Sequence, residues 1–193
     1  YGTSKLMTEW MLRDLALAGG PRFVVLRYFN VAGCDPTGRL GQSTPRATLL
    51  TKVACEAAVG KREAVYIFGT DYDTPDGTGI RDYIHVEDLA GAHLCALDYL
   101  RDGGDPQVLN CGYGQGFSVR QLLSAVETAN GSPLPIIEHA RRAGDPPSLV
   151  AKADKIRTLL GWEPALDDLE KIVASSLAWE RKIAAGDPSA YWR

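Results

Sequence analysis

The chain of 193 residues is 45% hydrophobic and 23% charged, and its 21 Lys and Arg stand against 24 Asp and Glu for a net charge of −3. That composition excludes a disordered, collagen-like or small disulfide-scaffold protein, and at roughly 150 residues per domain the length fits one large domain or one and a half. The weakly negative balance speaks against nucleic acid or an anionic membrane surface as a partner, and apolar runs such as residues 23–26 fall far short of the about 18 residues needed to span a bilayer.

Helical and strand-like segments alternate along the chain, which predicts an α/β fold. Residues 3–18 read as a helix, with Leu6, Trp10, Leu12, Leu15 and Leu17 near helical spacing and Gly19-Gly20-Pro21 as the stop. Residues 23–26 are a short apolar run that suits a strand buried on both faces. A Gly/Asp/Pro-rich loop over 33–45 leads to a helix at 47–59, closed by Gly60, and then to a strand at Val65–Phe68. Residues 69–82 form a turn-rich loop longer than most connections, a length that points to function. A helix at 86–100, a strand at 108–110, a capping box at Ser118 and Gln121 opening a helix to about 130, and a strand at 134–137 follow. Two helices, near 153–160 and 167–184, end the pattern.

The cysteines Cys34, Cys55, Cys95 and Cys111 form no CxxC and have no histidine at zinc spacing, so free thiols in a reducing cytoplasm and no metal site are expected. His85 and His93 lack ligand partners and read as hydrogen-bonded structural residues. Asp71-x-Asp73 with Asp76-Gly77 imitates a calcium loop, but the later aspartate and glycine come one place late and Asp82 replaces the closing Glu. Gly112-Tyr113-Gly114-Gln115-Gly116-Phe117 imitates a dinucleotide fingerprint with its third glycine one place early and no acidic residue about twenty positions on. It reads as a tight strand-to-helix turn.

Tyr1 and Lys5 lie four apart and share a helix face. A tyrosine of pKa about 10 is a poor base at neutral pH; a nearby ammonium stabilises its phenolate, and a drop of about three units needs roughly 4 kcal/mol. The spacing alone also arises by chance in many helices. Its neighbourhood is more specific. Tyr1-Gly2-Thr3-Ser4-Lys5 before an amphipathic helix, then Arg27-Tyr28-Phe29-Asn30 after a strand, resembles the extended short-chain dehydrogenase/reductase family, whose hallmark is a Tyr-x-x-x-Lys pair. Phe68-Gly69-Thr70-Asp71-Tyr72 and the run from Asp76 through Arg81-Asp82-Tyr83-Ile84-His85 to Leu89 resemble that family's UDP-glucose 4-epimerase branch. Asn110-Cys111-Gly112, Arg141-Arg142-Ala143-Gly144-Asp145 and Leu160-Gly161-Trp162-Glu163-Pro164 match in the same order, so the resemblance covers nearly the whole chain.

The resemblance implies the C-terminal part of a doubly wound, NAD-binding Rossmann-type sheet with a smaller mixed α/β substrate lobe. Residues 1–46 would be the remainder of the cofactor domain, and 47–193 mostly the UDP-sugar lobe, with some elements returning to the main sheet. It further implies an isomerase that inverts the 4-hydroxyl of a UDP-hexose through transient oxidation by bound NAD. Tyr1 would take the hydroxyl proton, Lys5 would hold the nicotinamide ribose and depress the tyrosine pKa, and Tyr28 would also contact the cofactor. Arg81 and Arg142 match diphosphate-contacting positions, a role for which guanidinium forks are suited. Asn30 and the backbone at Leu50 would serve the same moiety or the sugar, Phe68 and Tyr83 the uracil, and Asp145 the uridine ribose. Leu49 departs from the family's usual Asn or His, and Leu149 falls near a position bearing on tolerance for N-acetylated sugars. The family also implies a homodimer, with the first helix packed on the sheet.

No GxGxxG, no ribose-binding acid after a second strand and no Ser/Thr upstream of the tyrosine are present, and the chain starts at Tyr1 without a Met. The chain is therefore expected to be the C-terminal part of such an enzyme, inactive by itself. A sugar-nucleotide dehydratase or reductase, or a non-catalytic UDP-sugar-binding module, are the alternatives.

Overall fold

Short β-branched runs separated by helices pair side by side in parallel, because each helix returns the chain across the sheet before the next strand. A computed structural model describes residues 1–186. In chain order the elements are α1 (Gly2–Leu17), β1 (Val24–Tyr28), β2 (Asn30–Ala32), α2 (Leu50–Ala58), β3 (Val65–Phe68), β4 (Ile80–Arg81) and β5 (Tyr83–His85). They continue with α3 (Val86–Arg101), β6 (Gln107–Cys111), β7 (Phe117–Ser118), α4 (Val119–Asn130), β8 (Ile136–His139), β9 (Ser148–Leu149), α5 (Asp154–Leu160) and α6 (Leu169–Ala184). Three two-stranded pairs, β1 with β6, β2 with β5 and β3 with β8, are parallel. The two-residue β4 joins β7 antiparallel and β9 parallel. The architecture is α/β, as the alternating pattern implies.

Two apolar cores result. One packs α2, β3, α4 and α6 around Cys55, Ile67, Leu122, Ile172 and Leu177. The other packs β5, α3, β6 and α5 around Ile84, Leu109, Ile156 and Trp162, with Val24 and Leu26 of β1 against it. Tyr113 touches both cores and ties them together. The Ser118–Gln121 capping box is formed reciprocally at the start of α4, and Gly131 ends that helix in the left-handed conformation at φ 77°. No helix among the described residues is long and apolar enough to cross a membrane.

Several expectations need correction. The helix expected from residue 47 begins at Leu50, because Leu49 is extended at φ −67°, ψ 128°. The strand expected at 134–137 is displaced to Ile136–His139, and the Pro135 carbonyl instead accepts from Val65 N–H at 2.8 Å. The 23–26 run is half-buried rather than covered on both faces. Helix α1, which the family packs on the sheet, buries none of its residues here, as expected for a chain without the N-terminal strands; Arg27 Nε donates to Glu9 at 2.7 Å. The strands β2, β4, β5, β7 and β9, of two or three residues each, are too short for a periodic signal.

A polar skeleton holds these pieces. The Asp82 carboxylate, 0% exposed, accepts from Tyr113 N–H (3.1 Å), Gly114 N–H (2.9 Å) and Ala151 N–H (3.2 Å). Asp88 accepts from the Tyr113 hydroxyl at 2.6 Å and from Ala165 and Leu166 N–H at 2.9 Å. His85 caps α3 by accepting from Glu87 N–H at 3.1 Å, and its Nε2 lies 3.3 Å from Ser175 Oγ. His93 contacts the Leu89 carbonyl at 2.8 Å, so both histidines are structural, as expected. All four cysteines are free; burial pushes the Cys34 thiol up to about 11 and those of Cys55 and Cys111 up to about 12, which leaves them unreactive at neutral pH.

Two stability predictions follow from this skeleton. Asp82→Asn replaces a triple acceptor with a group that buries a surplus donor, and urea unfolding should show a loss of about 2–3 kcal/mol. His85 is held below its ordinary pKa of 6.5 by burial, against the pull of Asp88 and Glu87. Its neutral form therefore contributes stability that is complete above 6.5 and is lost as the pH falls through the lower native value. Between about pH 7.5 and about pH 5.5 the unfolding free energy of the wild type should fall more steeply than that of His85→Gln; parallel slopes would remove His85 from the account.

Candidate functional site

One cavity of about 350 Å³ gathers the chain's chemistry. Strand pairing builds its floor. Asn30 at the start of β2 lies opposite Tyr83 of β5, and Asn30 N–H donates to the Asp82 carbonyl at 3.1 Å. Arg81, next along the chain, therefore faces the same space from β4. The extended residues Thr48 and Leu49 and the first residue of α2, Leu50, form one wall; Phe68 at the end of β3 forms another. Arg142 and Asp145 close the rim from the segment between β8 and β9. Thus seven of the ten expected site residues, Asn30, Leu50, Phe68, Arg81, Tyr83, Arg142 and Asp145, line one cavity.

The other three stand apart from it. Tyr1 is 98% exposed at the mouth of α1, with Lys5 Nζ 5.4 Å from its ring centroid. One helical turn holds them together, since Lys5 N–H donates to the Tyr1 carbonyl at 3.3 Å. Tyr28, at the end of β1, is exposed and two residues from Asn30.

The cavity's electrostatics favour an anion. Three guanidinium groups, Arg62, Arg81 and Arg142, line it against the single carboxylate of Asp145. Arg81 Nη1 donates to the Ile80 carbonyl at 2.7 Å, which folds its fork beside Gly79. The Arg142 guanidinium carbon lies 3.7 Å from the centroid of Phe68, whose ring also stacks on His139 at 5.6 Å. The expected phosphate cation and the expected base platform are therefore in direct contact. The Tyr83 hydroxyl, on a side chain 2% exposed, has no hydrogen-bond partner among the described residues. Burial pushes its pKa far up, so it remains a protonated donor in the cavity wall. An unpaired buried hydroxyl is costly unless something else satisfies it.

Leu49 brings no polar group to the wall and no side-chain cap to α2. Leu149 lies beside Arg81 in the β4–β9 pairing, which sets the register of the segment carrying Arg142 and Asp145. Sequence reasoning missed Arg62, Tyr66 and Tyr72, all of which line the cavity. Arg62 donates to the Ala47 carbonyl at 2.8 Å and pairs with Glu56, so it braces the wall as well as charging it. Its only sequence signal was a basic pair after the glycine that closes α2.

The two imitation motifs have structural explanations. A Cβ on Gly112 would stand 2.7 Å from Asp82 Oδ2, and one on Gly116 would stand 2.5 Å from Ile80 Cγ2, so those glycines permit close approach in a tight turn. In the acidic loop, Asp76 accepts from Thr78 N–H (2.9 Å), the Thr78 hydroxyl (2.7 Å) and the Ser118 hydroxyl. Among the described residues no group of three or more His, Cys, Asp or Glu could hold a metal ion.

Comparison with known proteins gives the site a context. The profile of the NAD dependent epimerase/dehydratase family matches residues 1–112. The chain is 60% identical over 183 residues to a UDP-glucose 4-epimerase of Azospirillum brasilense, covering 95% of this chain and 53% of that protein. Among solved structures, it resembles the UDP-glucose 4-epimerase of Brucella ovis in complex with NAD (TM-score 0.89, 42% identity, covering 92% of this chain and 55% of the other). It also resembles that of Bifidobacterium longum in complex with NAD+ and UDP (TM-score 0.88, 41% identity, 99% and 56%). The chain spans about half the length of the curated relatives it matches. With more than half of its residues under the family profile, the chain belongs to the NAD dependent epimerase/dehydratase family.

Proposed function

We propose that this chain supplies the UDP-hexose site and the catalytic tyrosine of a UDP-glucose 4-epimerase, an NAD-dependent isomerase, and that a cofactor-binding segment N-terminal to it completes the enzyme. The observation that carries the reading is the convergence of Asn30, Leu50, Phe68, Arg81, Tyr83, Arg142 and Asp145 on one cationic cavity. The names of the relatives support the same substrate.

The roles follow from chemistry. Arg81 and Arg142 bind the diphosphate with fixed-charge forks. Tyr83 backs the uracil from the cavity wall. Phe68, with the Arg142 guanidinium over its ring, packs beside the uracil, and Asp145 accepts from ribose hydroxyls. Asn30 can donate to or accept from the sugar-phosphate.

The residues present fit the nicotinamide end of NAD. A phenol and an ammonium share one exposed helix turn, the donor set a dihydroxylated ribose and a sugar hydroxyl require. The cofactor's contribution when bound is reversible hydride acceptance at C4 of the hexose. Tyr1 Oη takes the 4-hydroxyl proton and later returns it, acting as general base and then acid. Lys5 Nζ stabilises the Tyr1 phenolate and holds the ribose, with Tyr28 beside them. The division into residues 1–46, belonging to the cofactor domain, and 47–193, mostly the substrate lobe, rests on the same reading. The apolar side chains exposed on α1, among them Met7, Trp10 and Met11, support its burial against that N-terminal segment and a second subunit.

Purified alone with added NAD, the 193-residue chain should show no conversion of UDP-galactose; measurable turnover would contradict the need for an N-terminal segment. In the full-length protein, Tyr1→Phe should lower kcat by about 10²-fold or more and leave the UDP dissociation constant within about twofold. Near wild-type turnover in that variant would remove Tyr1 from the chemistry.

A further inference from the structure

Arg142 and Asp145 sit on the segment between β8 and β9, and the backbone there is sparsely tied. Its cross-chain backbone hydrogen bonds among the described residues are Gly69 N–H to the His139 carbonyl (2.8 Å) at one end and Ile80 N–H to the Pro147 carbonyl (2.8 Å) at the other. Between those two anchors the bond from Asp145 N–H to the Arg142 carbonyl, at 3.4 Å, is internal to the segment.

Two side chains cross that gap: Arg142 lies over the Phe68 ring, and Arg141 reaches the 71–72 loop. Arg141 Nε donates to Asp71 Oδ1 at 2.6 Å, its Nη2 donates to the Asp71 carbonyl, and its guanidinium carbon lies 4.3 Å from the centroid of Tyr72. Tyr72 is buried and itself lines the cavity. Gly69 makes room for the arrangement: at φ +88°, a Cβ there would stand 2.6 Å from Tyr72 and 2.7 Å from Arg141 Cγ. The two ends of the contact are 70 residues apart in sequence, in the two loops that flank the cavity mouth.

We propose that Arg141 and Asp71 are positioning residues: their clamp holds the 140–147 segment so that the neighbouring Arg142 and Asp145 meet the diphosphate and ribose of a nucleotide ligand. The inference rests on the nucleotide-binding reading above. The pair contributes little to global stability, because the Arg141 and Asp71 side chains are 44% and 73% exposed. Its effect falls on ordering the segment before the ligand arrives, which sets affinity rather than the chemical step.

The test uses the full-length protein, with UDP as the calorimetric ligand and UDP-galactose as the kinetic substrate. Arg141→Ala should raise the UDP dissociation constant and KM by about tenfold, the size of one lost charge-assisted tie, and Asp71→Ala by less, because Arg141 keeps its bond to the residue-71 carbonyl and its place on Tyr72. For both, kcat should stay within about twofold and the thermal midpoint should be essentially unchanged. Arg141→Lys, which keeps the charge but loses the fork, should recover part of the affinity. The double variant should be no worse than Arg141→Ala, because that change already removes every contact of the clamp. Unchanged UDP affinity in the single variants, additive losses in the double, or a midpoint that falls in step with affinity would each overturn the clamp. If the wild-type protein itself fails to bind UDP, the nucleotide reading falls and the clamp falls with it.

Discussion

Asp82 is the constraint on which the rest of the site depends. Its carboxylate collects three backbone N–H groups from the β6–β7 turn and from Ala151 just after β9, while its carbonyl receives Asn30 N–H and its N–H donates to the Leu149 carbonyl at 3.2 Å. A buried carboxylate is tolerated only when it is satisfied in this way. Because the residue lies between Arg81 and Tyr83, anchoring it aims both neighbours, and the same bonds set Asn30 and the segment that carries Arg142 and Asp145. A single satisfied charge thus ties the β2–β5 pair to the β7–β4–β9 sheet beneath the cavity.

A second network does comparable work at the opposite wall. The buried Glu180 of α6 pairs with Lys52 of α2 and, at 3.3 Å, with Lys61, while Lys52 also lies 3.4 Å from Glu56. Glu56 in turn holds Arg62, which holds the Ala47 carbonyl. Charge alternation through this chain runs from the α6 core to the wall where Leu49 and Leu50 meet the cavity. It leaves Arg62 partly neutralised, so Arg81 and Arg142 carry most of the positive field toward an anionic ligand.

How much of this was readable beforehand differed by element, for physical reasons. Long amphipathic helices such as α3 and α4 declare themselves through periodicity and, at Ser118, through a capping box. The dense motif around Arg81 and Tyr83 identified the cavity residues by resemblance. Strands of two or three residues carry no period, so β2 and β5, which place Asn30 against Tyr83, were invisible until the pairing was seen. Arg62 and Tyr72 escaped because their place in the cavity comes from contacts between distant segments, not from any local signature. The glycines of 112–116 looked like a cofactor loop, yet the close approach of Asp82 and Ile80 is what requires them. Helix α1 carries apolar residues near helical spacing, yet none of its residues is buried.

The central claim, that this cavity binds the nucleotide of a UDP-sugar, is tested most directly by amide hydrogen exchange of the full-length protein with and without UDP. The account predicts slowed exchange at the start of α2 near Leu50, at Phe68 and Gly69 after β3, and across residues 141–145, with the distant α4–α6 face unchanged. Protection confined to another surface, or none at saturating UDP, would contradict it.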